Sequence, residues 1–219
     1  MYHRARLKTI FRLILWITVA LAALLGILRA TCIRLWTMPG DDALLSLSVM
    51  PTLEAGDELV LWRVGIPGFG ELVECPDPEA PGRFVVGRIL GEPGDTVVVD
   101  RAYITVNDKG ISSRRACPKF SVIDPQTSES LELTCEVEEA GGIEYARARA
   151  SKPPVSMAAP FRVKVPDGNV FLASDNRYYH DDSRDFGPMP KTSCQERVLF
   201  RLWSARGWFD APRRLTFIH

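Results

Sequence analysis

With 219 residues and 46% hydrophobic side chains, the chain suits one globular domain with a buried core plus a short additional segment. Lys plus Arg and Asp plus Glu each total 27, so the formal net charge is zero and nothing marks a nucleic-acid partner. The five cysteines and the three histidines (His3, His180, His219) fit no zinc spacing, and no phosphate-binding glycine loop occurs, so neither metal nor cofactor is expected.

Residues 1–12 carry Arg4, Arg6, Lys8 and Arg12 and no acid. Leu13 to Leu28 is then free of charge, about 16 residues or roughly 24 Å as a helix, and Arg12 and Arg29 can snorkel to the two interfaces of a bilayer. A membrane anchor over 13–30 is expected. The basic excess ahead of it places residues 1–12 in the cytoplasm and residues 38–219 outside. A cleaved secretory signal is the competing reading, but Arg29-Ala30-Thr31-Cys32 makes a poor small-x-small cleavage site. A buried soluble helix is the third.

From Met38 the pattern changes to short β-rich runs: 58–62, 70–73, 83–90, 96–99, 103–106, 161–165, 170–172 and 198–203. They are separated by turn signals such as Pro93-Gly94-Asp95 and Pro166-Asp167-Gly168, which predicts a mainly β, antiparallel, barrel-like domain. No run beyond the anchor has a helical period. Residues from about 110 to 160 are polar and read as an insertion forming a small β appendage. Cys117 and Cys135 lie within it and can be bridged in an oxidising compartment, while the odd total leaves at least one thiol free or paired between chains. Trp36, Met38, Leu44, Leu45 and Leu47 cluster ahead of Ser48, either as an apolar cleft dipping into the membrane interface or simply as core.

Ser48 precedes Val49-Met50-Pro51-Thr52-Leu53 and Gly56-Asp57, a loop leading into the first strand of the domain. Two further segments stand in order behind it: Gly87-Arg88-Ile89-Leu90-Gly91-Glu92-Pro93-Gly94-Asp95 with Val106-Asn107, and Ser174-Asp175-Asn176-Arg177-Tyr178-Tyr179-His180-Asp181-Asp182-Ser183-Arg184 with Gly187. Together they resemble the signal peptidase I family, membrane-anchored serine proteases that cut signal peptides from exported proteins. The resemblance implies a signal-peptidase-like β domain lying against a bacterial inner membrane, with the lipid bilayer and signal peptides as its partners. It also assigns Ser48 as nucleophile and Ser46, with the Ser48 amide, as oxyanion donors.

One departure decides the chemistry. The family's base is a lysine immediately before the arginine of the second segment, and here that position is Gly87, which has no side chain to accept a proton. Arg88 is no substitute, because a guanidinium stays protonated. His180 stands where the family has a serine beside that lysine, which suggests a Ser48-His180-Asp182 relay, with Asp181 as the second choice of orienter. The alternative is decay to an inactive homologue that binds signal peptides or partner proteins. Ser174 in place of a glycine and Leu47 in place of a small residue lean toward decay. Asp175, Asn176, Arg177, Ser183 and Arg184 are expected to serve as scaffold.

Overall fold

The structure, a computed structural model, describes residues 2–150 and 160–218, with side chains from Ile10 onward. The side chains of Arg4, Arg6 and Lys8 and the last part of the expected insertion lie outside the described residues.

Helix α1 spans Tyr2–Thr31 and is rich in Leu and Ala, both strong helix formers. Its stretch Ile10–Thr31 has a mean hydropathy of 2.4 and none of it is buried against the domain. At 1.5 Å per residue that segment is long enough to cross a hydrocarbon core. It ends directly in β1 (Ile33–Thr37), which starts the domain.

The main sheet is antiparallel and eight-stranded. Its strands are β1, β2 (Glu58–Trp62), β3 (Leu72–Pro76), β4 (Phe84–Gly91), β12 (Asn169–Ala173), β13 (Met189–Pro190), β14 (Glu196–Trp203) and β15 (Thr216–Phe217). They run in the order β1-β2-β14-β3-β4-β12-β13, with β15 on β14. β2 alternates, with Leu59 and Leu61 inward, as a half-covered strand should. β4 is buried from Val85 to Gly91 without alternation, because both of its faces are covered.

A second sheet takes the order β11-β5-β6-β7, from β5 (Thr96–Asp100), β6 (Tyr103–Val106), β7 (Lys109–Gly110) and β11 (Phe161–Lys164). A third, β10-β9-β8, is built from β8 (Ser112–Ile123), β9 (Ser130–Ala140) and β10 (Ile143–Ala150). Leu90 and Phe171 of the main sheet, Val97 and Ile104 of the second, and Ala140 and Tyr145 of the third share one core cluster. Close approach of the first two requires Gly91: a Cβ there would lie 2.6 Å from Val97 Cγ2 and 2.9 Å from Phe171 Cβ. The following turn is closed by Asp95, which accepts from the Glu92 amide at 2.8 Å and from Asn107 Nδ2 at 2.7 Å.

Two short helices depart from the expectation of none beyond the anchor. α2 (Ala43–Ser48) is capped by Asp42, whose side chain accepts from the Leu45 amide, and α3 (Ser183–Phe186) is capped by Asp182. At six and four residues neither is long enough to display a 3.6-residue period. Their caps, Asp42 and Asp182, were the readable signal.

Cys75–Cys194 and Cys117–Cys135 are disulfides and Cys32 is a free thiol. The first joins β3 to the segment before β14 across a sequence separation of 119. In the chain-entropy picture a loop of that size stabilises the fold by about 4–5 kcal/mol. Cys75→Ala with Cys194→Ala is therefore expected to lower the urea midpoint more than Cys117→Ala with Cys135→Ala, whose loop spans 18 positions and stabilises by about 3 kcal/mol. Equal midpoints for the two pairs would contradict this.

Candidate catalytic site

Ser48 is the last residue of α2 and is fully buried. Its neighbours Leu45 and Val49 pack with Val86 of β4 in the core, so the helix end lies beside the strand that carries Gly87. The Ser48 hydroxyl donates to the Leu45 carbonyl at 3.0 Å. Ser46 Oγ donates to the Asp42 carbonyl at 2.7 Å, a bond back into its own helix. The segment after Ala173 fastens this loop: the Asn176 amide donates to Ser48 O at 2.9 Å and Asn176 Nδ2 donates to Leu47 O at 2.9 Å.

Beneath the loop lies a buried ionic frame. Arg88 reaches Asp175 through Nε at 3.0 Å and Nη2 at 2.9 Å, donates to the Gly70 carbonyl at 2.6 Å, and lies 4.0 Å over the Tyr145 ring. Thr52 Oγ1 donates to Asp175 Oδ2 at 2.5 Å, the oxygen that also accepts from Arg88 Nη2. Asp57 ties the far end of the first segment to β14, accepting from Arg201 Nε at 2.8 Å and the Ala205 amide at 2.9 Å.

The third sheet closes on the same place. Ala148 of β10 forms a parallel bridge with Asn176, donating to Asp175 O and accepting from the Arg177 amide, both at 2.8 Å. Arg177 Nη2 bonds Glu138 Oε2 and Tyr145 Oη, each at 3.2 Å. Leu47 and Met50 pack into the cluster of Ala148, Ala150 and Tyr179. Glu138 and Tyr145 are contacts that sequence reading missed. The charged and aromatic residues alternating with alanine along β10 were the only hint of an inward polar face.

His180 is half-buried, and its Nδ1 pairs with Asp185 Oδ2 at 2.8 Å. A neutral ring in that contact carries its proton on Nδ1 and leaves Nε2 as the acceptor. Asp182 is engaged elsewhere: it accepts from the Ser174 amide at 2.7 Å and from Arg184 Nη2 at 2.6 Å, and caps α3. Burial works against the Asp182 charge, yet the Arg184 ion pair and the hydrogen bonds outweigh it and hold the carboxyl well below the usual range. Burial, reinforced by Asp77, Asp185 and Asp42, pushes Asp181 up to about 6. Ser183 Oγ accepts from the Leu172 amide at 2.9 Å.

The structure therefore brings Ser48 and Asn176 together, and His180 and Asp185, but it does not join the two pairs. Among the described residues no hydrogen bond links Ser48 to His180, and the imidazole's bonded carboxylate is Asp185 rather than Asp182 or Asp181. Asp185 went unnoticed in the sequence because its role as partner depends on the turn of α3. Asp182, Asp185 and His180 have polar atoms within 4.8 Å of one another. The oxygens of Asp182 are already occupied by Arg184 and backbone amides, so this trio does not suit a cation. At Gly87, buried in β4, a Cβ would meet Leu172 Cβ at 3.1 Å. Of the apolar run before Ser48, Met38 and Leu45 are core and Trp36 packs on it, whereas Leu44 is exposed.

A serine at a helix end is thus clamped by an Asn-Arg loop on an antiparallel β domain behind an apolar N-terminal helix. The signal peptidase (peptidase S26) family model matches residues 10–203, and the chain belongs to that family. It is 25% identical over 172 residues to a probable signal peptidase I-1 of Synechocystis, covering 74% of this chain and 69% of that protein. It is 27% identical to signal peptidase I U of Bacillus subtilis, over 85% of this chain and 82% of that one. Mitochondrial inner membrane protease subunit 1 of Schizosaccharomyces pombe is 26% identical, with 74% and 73% covered. A crystal structure of a signal peptidase I from Enterococcus faecalis matches with a TM-score of 0.40 at 21% identity, covering 62% of this chain and 98% of that one. The relatives support a function of signal peptidase I type, directed at proteins that bear signal peptides.

Proposed function

We propose that the chain is anchored in a bacterial cytoplasmic membrane with its β domain outside, and that it receives the signal peptides of exported preproteins at the Ser48 loop without the Ser-Lys chemistry of its family. The orientation is supported by Arg4, Arg6, Lys8 and Arg12 ahead of the apolar helix and by two disulfides in the domain. The observation that carries the rest is the state of the nucleophile. Ser48 Oγ donates to a main-chain carbonyl, which cannot take its proton, and the position of the family's amine is a glycine.

A second reading has one observation in its favour. The His180-Asp185 pair is an oriented imidazole whose Nε2 makes no hydrogen bond among the described residues, on a loop that is bonded to Ser48 through Asn176. In that reading Ser48 attacks the scissile carbonyl while His180 takes its proton and Asp185 steadies the imidazolium; the imidazolium returns the proton to the amine as the C–N bond breaks, and water, deprotonated by His180, then hydrolyses the acyl-serine. The Ser48 hydroxyl must first leave Leu45 and meet the ring.

Full-length protein in detergent, mixed with several preproteins, separates the two. Binding without cleavage, unchanged in Ser48→Ala, is the expected result. Cleavage that disappears in both Ser48→Ala and His180→Ala but survives Lys109→Ala would replace the first reading with the second. Absence of both binding and cleavage would sink both.

A further inference from the structure

Between the β5-β6 turn and the end of β10 is a cavity of about 200 Å³, lined by Arg101, Tyr103, Arg149, Ala150, Arg177 and Tyr178. No carboxylate lines it among the described residues. The guanidiniums around it are short of counter-charge. Among the described residues, the ion pairs of Arg147, Arg149 and Arg177 are to Glu136 and Glu138. Arg177 has a fully buried side chain, and its Nε has no hydrogen-bond partner. Arg101, at the rim, makes no ion pair among the described residues, and its positive φ of 56° turns the chain tightly at that point.

We infer that this cavity is a subsite for the carboxylate of an acidic peptide residue. Arg101, Arg149 and Arg177 supply the charge complement. The walls decide between a bare ion and a side chain. Two tyrosine rings and an alanine methyl line a volume larger than a small oxyanion, which suits the stem of a Glu or Asp residue beneath its charged end. Position argues for a peptide. Tyr178 and Ala150 belong to the apolar cluster that takes Leu47 and Met50, the residues on either side of the Ser48 segment. A peptide lying along that loop runs against the cluster whose Ala150 and Tyr178 also line the cavity.

This inference rests on the signal-peptide reading and adds a preference to it: preproteins with an acidic residue near the cut are favoured. The test is fluorescence anisotropy of full-length protein in detergent with labelled peptides spanning a small-x-small cleavage site. Members of each pair differ only by Glu or Gln at one position. At one position the Glu peptide should bind roughly tenfold tighter, the size of one charge-assisted hydrogen bond. Arg101→Gln should bring the pair to within about twofold, and Arg101→Lys should restore most of the difference. Equal binding of Glu and Gln peptides at every position, or a preference untouched by Arg101→Gln, overturns the subsite while leaving signal-peptide binding intact. Failure of all peptides to bind overturns both. Inorganic phosphate displacing the Glu peptide as well as an unlabelled copy does would make the cavity a simple anion site and overturn the peptide assignment.

Discussion

Gly87→Lys is expected to raise preprotein cleavage by the full-length protein by roughly 10²–10⁴-fold, the usual contribution of a positioned general base. The position is buried in β4, so an amine placed there is desolvated. That desolvation lowers its pKa toward the value a base needs at neutral pH. The strand runs beside the end of α2, because Val86 packs with Leu45 and Val49. The obstacle is Leu172, whose Cβ would sit 3.1 Å from the new Cβ, a contact that asks β12 to give by a few tenths of an ångström. Gly87→Lys with Leu172→Gly removes that Cβ, and a folded double variant should be at least as active. The measurement is the initial rate of preprotein processing, alongside a melting curve for each variant. If both variants fold and neither cuts, the missing lysine is not what silences Ser48, and burial of the hydroxyl becomes the cause.

Asp175→Ala is expected to cost about 3–5 kcal/mol of stability, enough to unfold a marginal domain. Its carboxylate is completely buried and is shared by Arg88 and Thr52, so truncation leaves a guanidinium without its counter-ion in the interior. Removing both charges with shape-filling residues, Arg88→Met with Asp175→Leu, should recover much of that loss, because the penalty comes from the uncompensated charge. Urea denaturation measures both. A double variant no more stable than Asp175→Ala would mean that the Arg88 bond to Gly70 O or its contact with Tyr145 matters more than the pair.

These two residues illustrate what was legible. Gly87 stands out in the sequence because a motif that needs an amine contains none, an inference that requires no coordinates. The strands were legible too, since Val-rich runs between turns leave little alternative: β2 over 58–62 and β6 over 103–106 fall where alternation and turns put them. The role of Asp175 was legible only in part. Its segment reads as an ionic scaffold, but that its partners are Arg88 and Thr52, and that Arg177 turns to Glu138 of the third sheet, follows from packing between distant segments. His180 was the residue most exposed to this difficulty. Its neighbours in the chain, Asp181 and Asp182, are the obvious orienters, yet the α3 cap folds Asp185 back onto the ring and commits Asp182 to Arg184.

The order of residues by itself determined the apolar N-terminal helix, the β class of the domain, the family and the absence of its lysine. Each of these is written in local composition or in motifs that stay contiguous along the chain. Only the tertiary structure decided which carboxylate serves which cation, that the Ser48 hydroxyl rests on a helix carbonyl, and that β10 closes against the Asn-Arg loop. Those outcomes depend on which groups are driven out of water together. Burial is a property of the packed whole, and a charge stripped of solvent pairs with whatever the fold has brought within reach.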